Sequence, residues 1–307
     1  MDSPALVYRV GDATITRIFE TGFFLPPERL FPDWDEAVGA GLTAHLSLHS
    51  LDLSQRKTFV QTHLWVVQVH GLTLVVDTGI GNGKSRPFSA LFHELDNPVL
   101  ERLEAAGFSR EGVDYVLLTH LHVDHVGWNT HLQGGQWVPV FPNATYIFSR
   151  KEYDFFATDA GAPRRMVCDD SVQPLVDVGQ ARMIGAQGGE EIEGIRFLPT
   201  PGHSIDHMAI EIESQGETAL FSGDVMHSPV QVYRPQWNSM FCLDGARARQ
   251  SRQWLLERAA QKGATLFPAH FPETSAGRVR KGAGGFEWEY VPAAAPDGAK
   301  QRVSLAA

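Results

Sequence analysis

Thiols are nearly missing from this chain. Its 307 residues include two cysteines, Cys168 and Cys242, far apart and in no Cys-x-x-Cys pair. That excludes a disulfide scaffold and suits a reducing compartment, so a cytoplasmic protein is expected. Basic charge is also scarce: Lys+Arg number 26 against 36 Asp+Glu, a net charge of −10. A surface of that sign repels phosphate backbones and no basic cluster relieves it, so no nucleic-acid partner is expected. No stretch approaches the roughly 18 consecutive apolar residues of a membrane span. Met1-Asp2-Ser3-Pro4 lacks the basic and then apolar pattern of a secretory leader. The expectation is a protein without a membrane partner. Charged residues are only 20% of the chain and hydrophobic ones 43%, which is too apolar for a disordered polymer.

Histidine, in contrast, is plentiful, with 13 copies. The segments between them alternate in recognisable ways. Ala5 to Val10 and Ala13 to Ile18, joined by Gly11-Asp12, read as a hairpin, and Thr62 to His70 with Leu72 to Val76 as a second strand pair. Asn97 to Ala106 has helical spacing and stops at Gly107; Val113 to Thr119 is a short buried-type strand. Ala144 to Phe148 is a strand, followed by Ser149-Arg-Lys-Glu152, the spacing of a capping box. Ile195 to Leu198, Met208 to Ile212, Thr218 to Phe221 and Ala264 to Phe267 read as strands, and Ala246 to Ala260 as an amphipathic helix. Strands in runs followed by alternation with helices point to two packed sheets flanked by helices. A single domain over 1–290 is expected, with an irregular insertion over 22–56 and a flexible tail over 291–307.

The chemistry gathers after the strand ending at Leu118, in Thr119-His120-Leu121-His122-Val123-Asp124-His125. His120 and His122 are two apart, so an extended backbone sends both to one side. A turn at Asp124-His125 lets that second pair grip another cation nearby. Crowding several ionisable groups without a partner is costly, so the four together point to metal. Three later segments repeat the grammar of strand, small-residue turn and ligand type: Pro199-Thr-Pro201-Gly202-His203, Ser222-Gly223-Asp224 and Pro268-Ala269-His270. The turns bring backbone close to a common centre.

The pattern His120-x-His122-x-Asp124-His125, then His203, Asp224 and His270 in order, resembles the metallo-β-lactamase superfamily, over about Thr62 to His270. The early Asp77-Thr78-Gly79 resembles the family's Asp-x-Gly turn, whose carboxylate orients a ligating histidine. That resemblance implies an α+β fold, a four-layer αββα sandwich with the metals at one rim. It implies His120, His122 and His203 around one cation, Asp124, His125 and His270 around a second, and Asp224 bridging both. The donors suit two Zn²⁺, with Mn²⁺, Fe²⁺ or Co²⁺ as other occupants. The implied mechanism is attack by a metal-bridging hydroxide, with Asp124 passing a proton to the leaving group.

Asp77-Thr-Gly-Ile-Gly-Asn82-Gly-Lys-Ser-Arg-Pro87 and Gly223-Asp224-Val-Met-His227 look most like the branch of N-acyl-homoserine-lactone lactonases and methyl-parathion-hydrolase-like enzymes. A small-molecule lactone or related ester is the expected substrate, with phosphotriesters or aryl esters as the alternative. Many lactonases of this branch carry tyrosine where His227 stands; His227 either donates to the substrate carbonyl in its place or supports the site from behind. His207 is read as a supporting residue. Phe23, Phe24, Leu25, Leu30, Phe31 and Trp34 in the insertion are expected, some of them, to form an apolar wall or lid over the metals, or else a homodimer contact or a packed N-terminal arm. Pro235 to Phe241 is a further pocket candidate. His45, His49, His63, His70, His93 and His131 carry no spacing signal. A non-catalytic scaffold predicts eroded ligands, and a redox di-iron site expects a carboxylate at His122; neither matches.

Overall fold

The computed structural model describes residues 5–294. β1 (Leu6–Val10) and β2 (Ala13–Leu25) form the first hairpin, closed at Val10↔Ala13 with Gly11 at φ +56°, a conformation glycine adopts without penalty. β3 (Thr58–Val69) and β4 (Leu72–Val76) continue the sheet antiparallel, and β5 (Tyr115–Leu117) joins β4 in parallel. A small separate hairpin, β6 (Thr130–Gln133) with β7 (Gln136–Pro139), precedes β8 (Thr145–Ser149) and β9 (Ala181–Ile184). The first sheet has the order β1-β2-β3-β4-β5-β8-β9, parallel from β4 onward. The second follows chain order: β10 (Gly189–Ile192), β11 (Ile195–Pro199), β12 (Met208–Ser214), β13 (Glu217–Gly223), β14 (Thr265–Pro268), β15 (Gly277–Gly282) and β16 (Gly285–Tyr290). In it β13 and β14 pair in parallel and the others antiparallel.

Eight helices accompany the sheets among the described residues: α1 (Pro27–Leu30), α2 (Glu36–Leu42), α3 (Val99–Ala105), α4 (Arg150–Phe155), α5 (Arg165–Ser171), α6 (Gln173–Asp177), α7 (Val230–Tyr233) and α8 (Gly245–Lys262). β3 shows why four layers form. Its residues alternate, so Leu64 and Val66 pack with Val99 and Leu103 of α3 and Val167 of α5, while Trp65 and Val67 face the other sheet. Between the sheets Tyr8, Ile15, Trp65 and Val67 meet Phe197, Ile210, Ile212, Phe221 and Phe267. On the far side Leu255, Leu256 and Ala259 of α8 cover Ala209, Leu220 and Leu266. Asp244 caps α8 by accepting from the Ala246 and Arg247 amides, and Gly263 at φ +61° ends it. The result is the expected αββα sandwich.

Two boundaries differ from the sequence reading. The insertion does not begin at Gly22: β2 stays paired with β3 through Leu25↔Thr58. Alternation fades there because both faces of that ladder are partly covered. The remainder, with α1 and α2, closes a small core in which Leu30 and Phe31 are fully buried with Leu42, Leu51, Val60 and Trp237. The expected tail is held over its first residues, where Val291 N–H donates to Ala276 O and Ala294 N–H to Val7 O. The rest of that expectation, 295–307, lies outside the described residues. Among the described residues no helix is long and apolar enough to cross a membrane.

A buried charge cluster ties the loop after β4 to α5. Arg86 and Asp170 form a bidentate pair at 2.7 Å and 2.7 Å, and Lys84 Nζ lies 3.6 Å from Asp170 Oδ1, with both cationic side chains fully buried. Burial pushes the Lys84 ammonium down to about 7, against the pull of Asp170. Replacing Asp170 with alanine strands the buried Arg86 guanidinium and is expected to remove about 3–5 kcal/mol in urea unfolding. Because the native state releases the Lys84 proton far below its ordinary 10.5, the unfolded chain holds more protons between those values. Wild-type stability relative to Lys84→Met should therefore rise with pH from about 7 to about 10, measured by thermal melting in matched buffers.

Candidate metal centre

The loops that leave the C-terminal ends of β4, β5, β11, β13 and β14 meet at one rim of the two sheets. They carry Asp77, the His120–His125 segment, His203, Asp224 and His270 in that order. All seven residues named as ligands from the sequence come together there. Their donor atoms fall into groups within 4.8 Å of one another: His120, His122 and His203; His120, His125 and Asp224; Asp124, His125 and His270; and His203, Asp224 and His227.

Asp224 lies at the centre. Its Oδ1 is 3.1 Å from His125 Nε2 and 2.9 Å from His270 Nε2, and its Oδ2 is 3.2 Å from His203 Nε2 and from His227 Nε2. His120 Nε2 is 4.0 Å from Oδ2, and His203 Nε2 is 2.8 Å from His122 Nδ1. Asp124 stands at the opening, with His125 Nε2 at 3.9 Å and His270 Nε2 at 3.6 Å.

Hydrogen bonds behind the rings decide which nitrogens face inward. Asp77 Oδ2 accepts from His125 Nδ1 at 2.8 Å and from the Thr119 hydroxyl at 2.8 Å, while Oδ1 accepts from the Thr119 amide. With its proton committed to Asp77, the Thr119 hydroxyl accepts from His120 Nδ1 at 3.0 Å. His270 Nδ1 donates to the Gln61 carbonyl at 2.8 Å. In His120, His125 and His270 the Nε2 lone pair is thus left pointing at the centre. His207 does the supporting work expected of it: its Nε2 accepts from the Asp224 amide at 3.0 Å and its Nδ1 donates to the Thr200 hydroxyl.

The donor set fits divalent cations. His120 Nε2, His125 Nε2 and Asp224 Oδ1 are buried and have no hydrogen-bond partner, which is costly unless a cation meets them. Nitrogen and carboxylate donors without thiolate suit zinc and its first-row neighbours. Burial works to raise the Asp224 carboxyl, but His125, His270, His203 and His227 hold it well below the usual range. Burial also acts to lower His125 and His270, yet the carboxylates of Asp224, Asp77 and Asp124 raise the first and those of Asp224 and Asp124 the second. Burial pushes His120, His122, His203 and His227 down, His122 to about 4, leaving neutral imidazoles, the form that binds metal.

Several supports escaped the sequence reading. Glu152 does not complete a capping box. Ser149 alone caps α4, accepting from Lys151 and Glu152 amides. The Glu152 carboxylate instead turns under the site, accepting from the Ser204 hydroxyl at 2.6 Å, the Asp206 amide at 2.7 Å and the Leu121 amide at 3.5 Å. It ties the His203 loop to the His120–His122 loop. Glu20 accepts from the Ile80 and Gly81 amides and from Trp128 Nε1, fixing the turn that begins at Asp77. Asp77 itself sits at φ +53°, a left-handed conformation held by Thr78 donating to the His125 carbonyl.

The centre forms the floor of a cavity of about 680 Å³. Its walls come from Phe23 and Leu25, from Phe88 and Phe92, from Phe155 and Phe156, and from Phe241. The insertion therefore contributes less than expected. Phe23 and Leu25 face the cavity, but Phe24 is 53% exposed beside Phe59, and Leu30 and Phe31 are core, as is Trp237. Trp34 packs against that core from its edge. Phe241 lies 5.6 Å from the His227 ring. His227 is buried at the floor.

The sequence profile described as the Metallo-beta-lactamase superfamily matches residues 58–270. Among solved structures, the chain is similar to AbOPH, a hydrolase in the beta lactamase superfamily, with a TM-score of 0.80 and 24% identity, covering 96% of this chain and all of that one. It is also similar to AidC, a dizinc quorum-quenching lactonase, with a TM-score of 0.73 and 21% identity over 95% of this chain and 98% of that one. Among curated relatives, an N-acyl homoserine lactonase of Bacillus cereus is 27% identical over 120 residues, 39% of this chain and 41% of that protein. An atrochrysone carboxyl ACP thioesterase of Passalora fulva is 29% identical over 172 residues, 55% of this chain and 39% of that protein. The chain thus spans about two fifths of the length of these curated relatives.

Asp77→Asn keeps the size of the side chain but spoils acceptance from both Thr119 and His125. It is expected to weaken zinc binding on the order of 10–100-fold, read by competition with a chromogenic chelator, and an unchanged affinity would refute the orienting role.

Proposed function

Since the chain belongs to the metallo-β-lactamase superfamily, we propose that it is a metal-dependent hydrolase that opens a lactone or a related ester at a pair of divalent cations, zinc foremost. The observation that carries this reading is the convergence of seven separated side chains around Asp224 at the floor of an apolar cavity. His120, His122 and His203 would hold one cation, Asp124, His125 and His270 the other, and Asp224 both. When bound, such cations make water acidic enough to attack at neutral pH and polarise the carbonyl under attack.

The chain's own groups do the rest. Phe23, Phe88, Phe92 and Phe156 bind the acyl or aryl portion and exclude water from it. Asp124, half-buried at the opening, takes up a proton on its carboxylate and returns it to the leaving oxygen. His227, at the floor beside Asp224, donates a hydrogen bond to the substrate carbonyl. A second reading, hydrolysis of aryl esters or aryl phosphotriesters, is favoured by the density of phenylalanine in the walls.

A panel of homoserine lactones of several chain lengths, aryl esters, an acyl thioester and a paraoxon-type phosphotriester decides among these. Metal analysis by mass spectrometry is expected to give about two equivalents of zinc, and chelation should abolish turnover. Asp224→Ala should reduce the best substrate to background; unaltered turnover of every panel member would end the hydrolase reading. Phe23→Ala and Phe92→Ala should raise KM about tenfold for long acyl chains relative to short ones, the scale of one lost aromatic wall contact.

A further inference from the structure

The mouth of the cavity departs from the apolar character of its walls at two points. Arg29 on α1 and Arg164 just before α5 both line it and both are exposed. Arg164 is pinned, with its guanidinium 3.8 Å over the Phe88 ring and Nη1 3.4 Å from the Pro163 carbonyl. Neither arginine has a carboxylate partner among the described residues, although acids are close in sequence. Glu28, beside Arg29, pairs with Arg56 at 3.0 Å, and Arg165, beside Arg164, takes Asp169 at 3.2 Å. The acidic side chains that line the cavity are already engaged. Asp124 and Asp224 belong to the histidine cluster, and Glu152 accepts from Ser204 and Asp206. On a chain with ten more acidic than basic residues, two guanidinium groups without carboxylate partners lining one cavity mark a place suited to an anion.

We propose that Arg29 and Arg164 form an anion subsite, so that the preferred substrate is an ester or lactone bearing a carboxylate at the end remote from the scissile bond. This rests on the hydrolase reading above. The scissile carbonyl reaches Asp224 and the histidines, the aliphatic or aryl middle lies along Phe23, Phe88 and Phe92, and the remote carboxylate meets the two guanidiniums. In the reaction one water is consumed and the acyl C–O bond breaks, giving an acid and an alcohol from an ester or a single hydroxy acid from a lactone. The remote carboxylate is unchanged throughout. A planar guanidinium recognises a carboxylate through two parallel N–H donors, which a lysine does not reproduce.

The test uses the zinc-loaded full chain and three para-nitrophenyl esters: the hexanoate, the adipate monoester and an ω-trimethylammonium hexanoate. At low salt kcat/KM should fall from anionic to neutral to cationic ester, with about tenfold between the first two, and the preference should shrink as sodium chloride is added. In Arg29→Met/Arg164→Met the anionic-to-neutral ratio should drop to about one, and Arg164→Lys should retain part of it. The ratio is the readout, so a general loss of activity does not imitate the effect. A ratio near one in the wild type, or one unchanged in the double variant, overturns the subsite. Zinc-dependent hydrolysis of all three esters at equal rates rejects the subsite and leaves the hydrolase reading standing, whereas absence of zinc-dependent hydrolysis of every ester rejects both.

Discussion

One buried carboxylate surrounded by imidazoles sets the terms for everything else at this rim. Taking Asp224 out of water is unfavourable by several kcal/mol for an isolated ion, and four histidines within 3.2 Å answer that penalty only by taking up positive charge. Two of them, His125 and His270, are pushed toward the charged form, while burial drives the others neutral. Cations placed among these donors satisfy both demands, since they compensate the carboxylate and use the neutral nitrogens as they stand.

Such a cluster needs rigid support, and the sandwich supplies it through position. Every contributing loop follows the C-terminal end of a strand, so the main-chain directions are fixed by the hydrogen-bonded ladders of the two sheets. The loops are then tied to one another by carboxylates that take no part in the cluster. Asp77 serves His120 and His125 at once, Glu152 spans the His122 and His203 loops, and Glu20 fixes the turn at Asp77. Three buried acids, each fully engaged with N–H or O–H donors, replace the solvent that the site excludes.

The ligand set was legible in sequence because its grammar is local. A strand's end, a small residue and a histidine or aspartate recur four times, and each recurrence survives in the fold. The sandwich was legible for the same reason, as alternating strands such as β3 and β12 announce two covered faces. What stayed hidden depends on partners distant in the chain. Glu152 reads as a capping residue, since nothing near it in sequence reveals that Ser204 and Asp206 will approach. β15 and β16 are rich in glycine and charge, and only Val279, Phe286 and Trp288 point inward. Phe31 and Phe24 look alike as exposed aromatics in an irregular stretch. The structure separates them, burying the first against Trp237 and leaving the second at the surface.

The phenylalanines that wall the cavity come from chain segments that carry none of the seven clustered ligand residues: the end of β2, the loop around Phe88 and Phe92, α4 with the residue after it, and the stretch before α8. Replacement of those phenylalanines can therefore recast what the cavity admits, while Glu152 on α4 and the Leu243 amide, which donates to the His203 carbonyl, keep the cluster's geometry. Selection is free to tune molecular taste and reactive machinery on separate parts of the polypeptide.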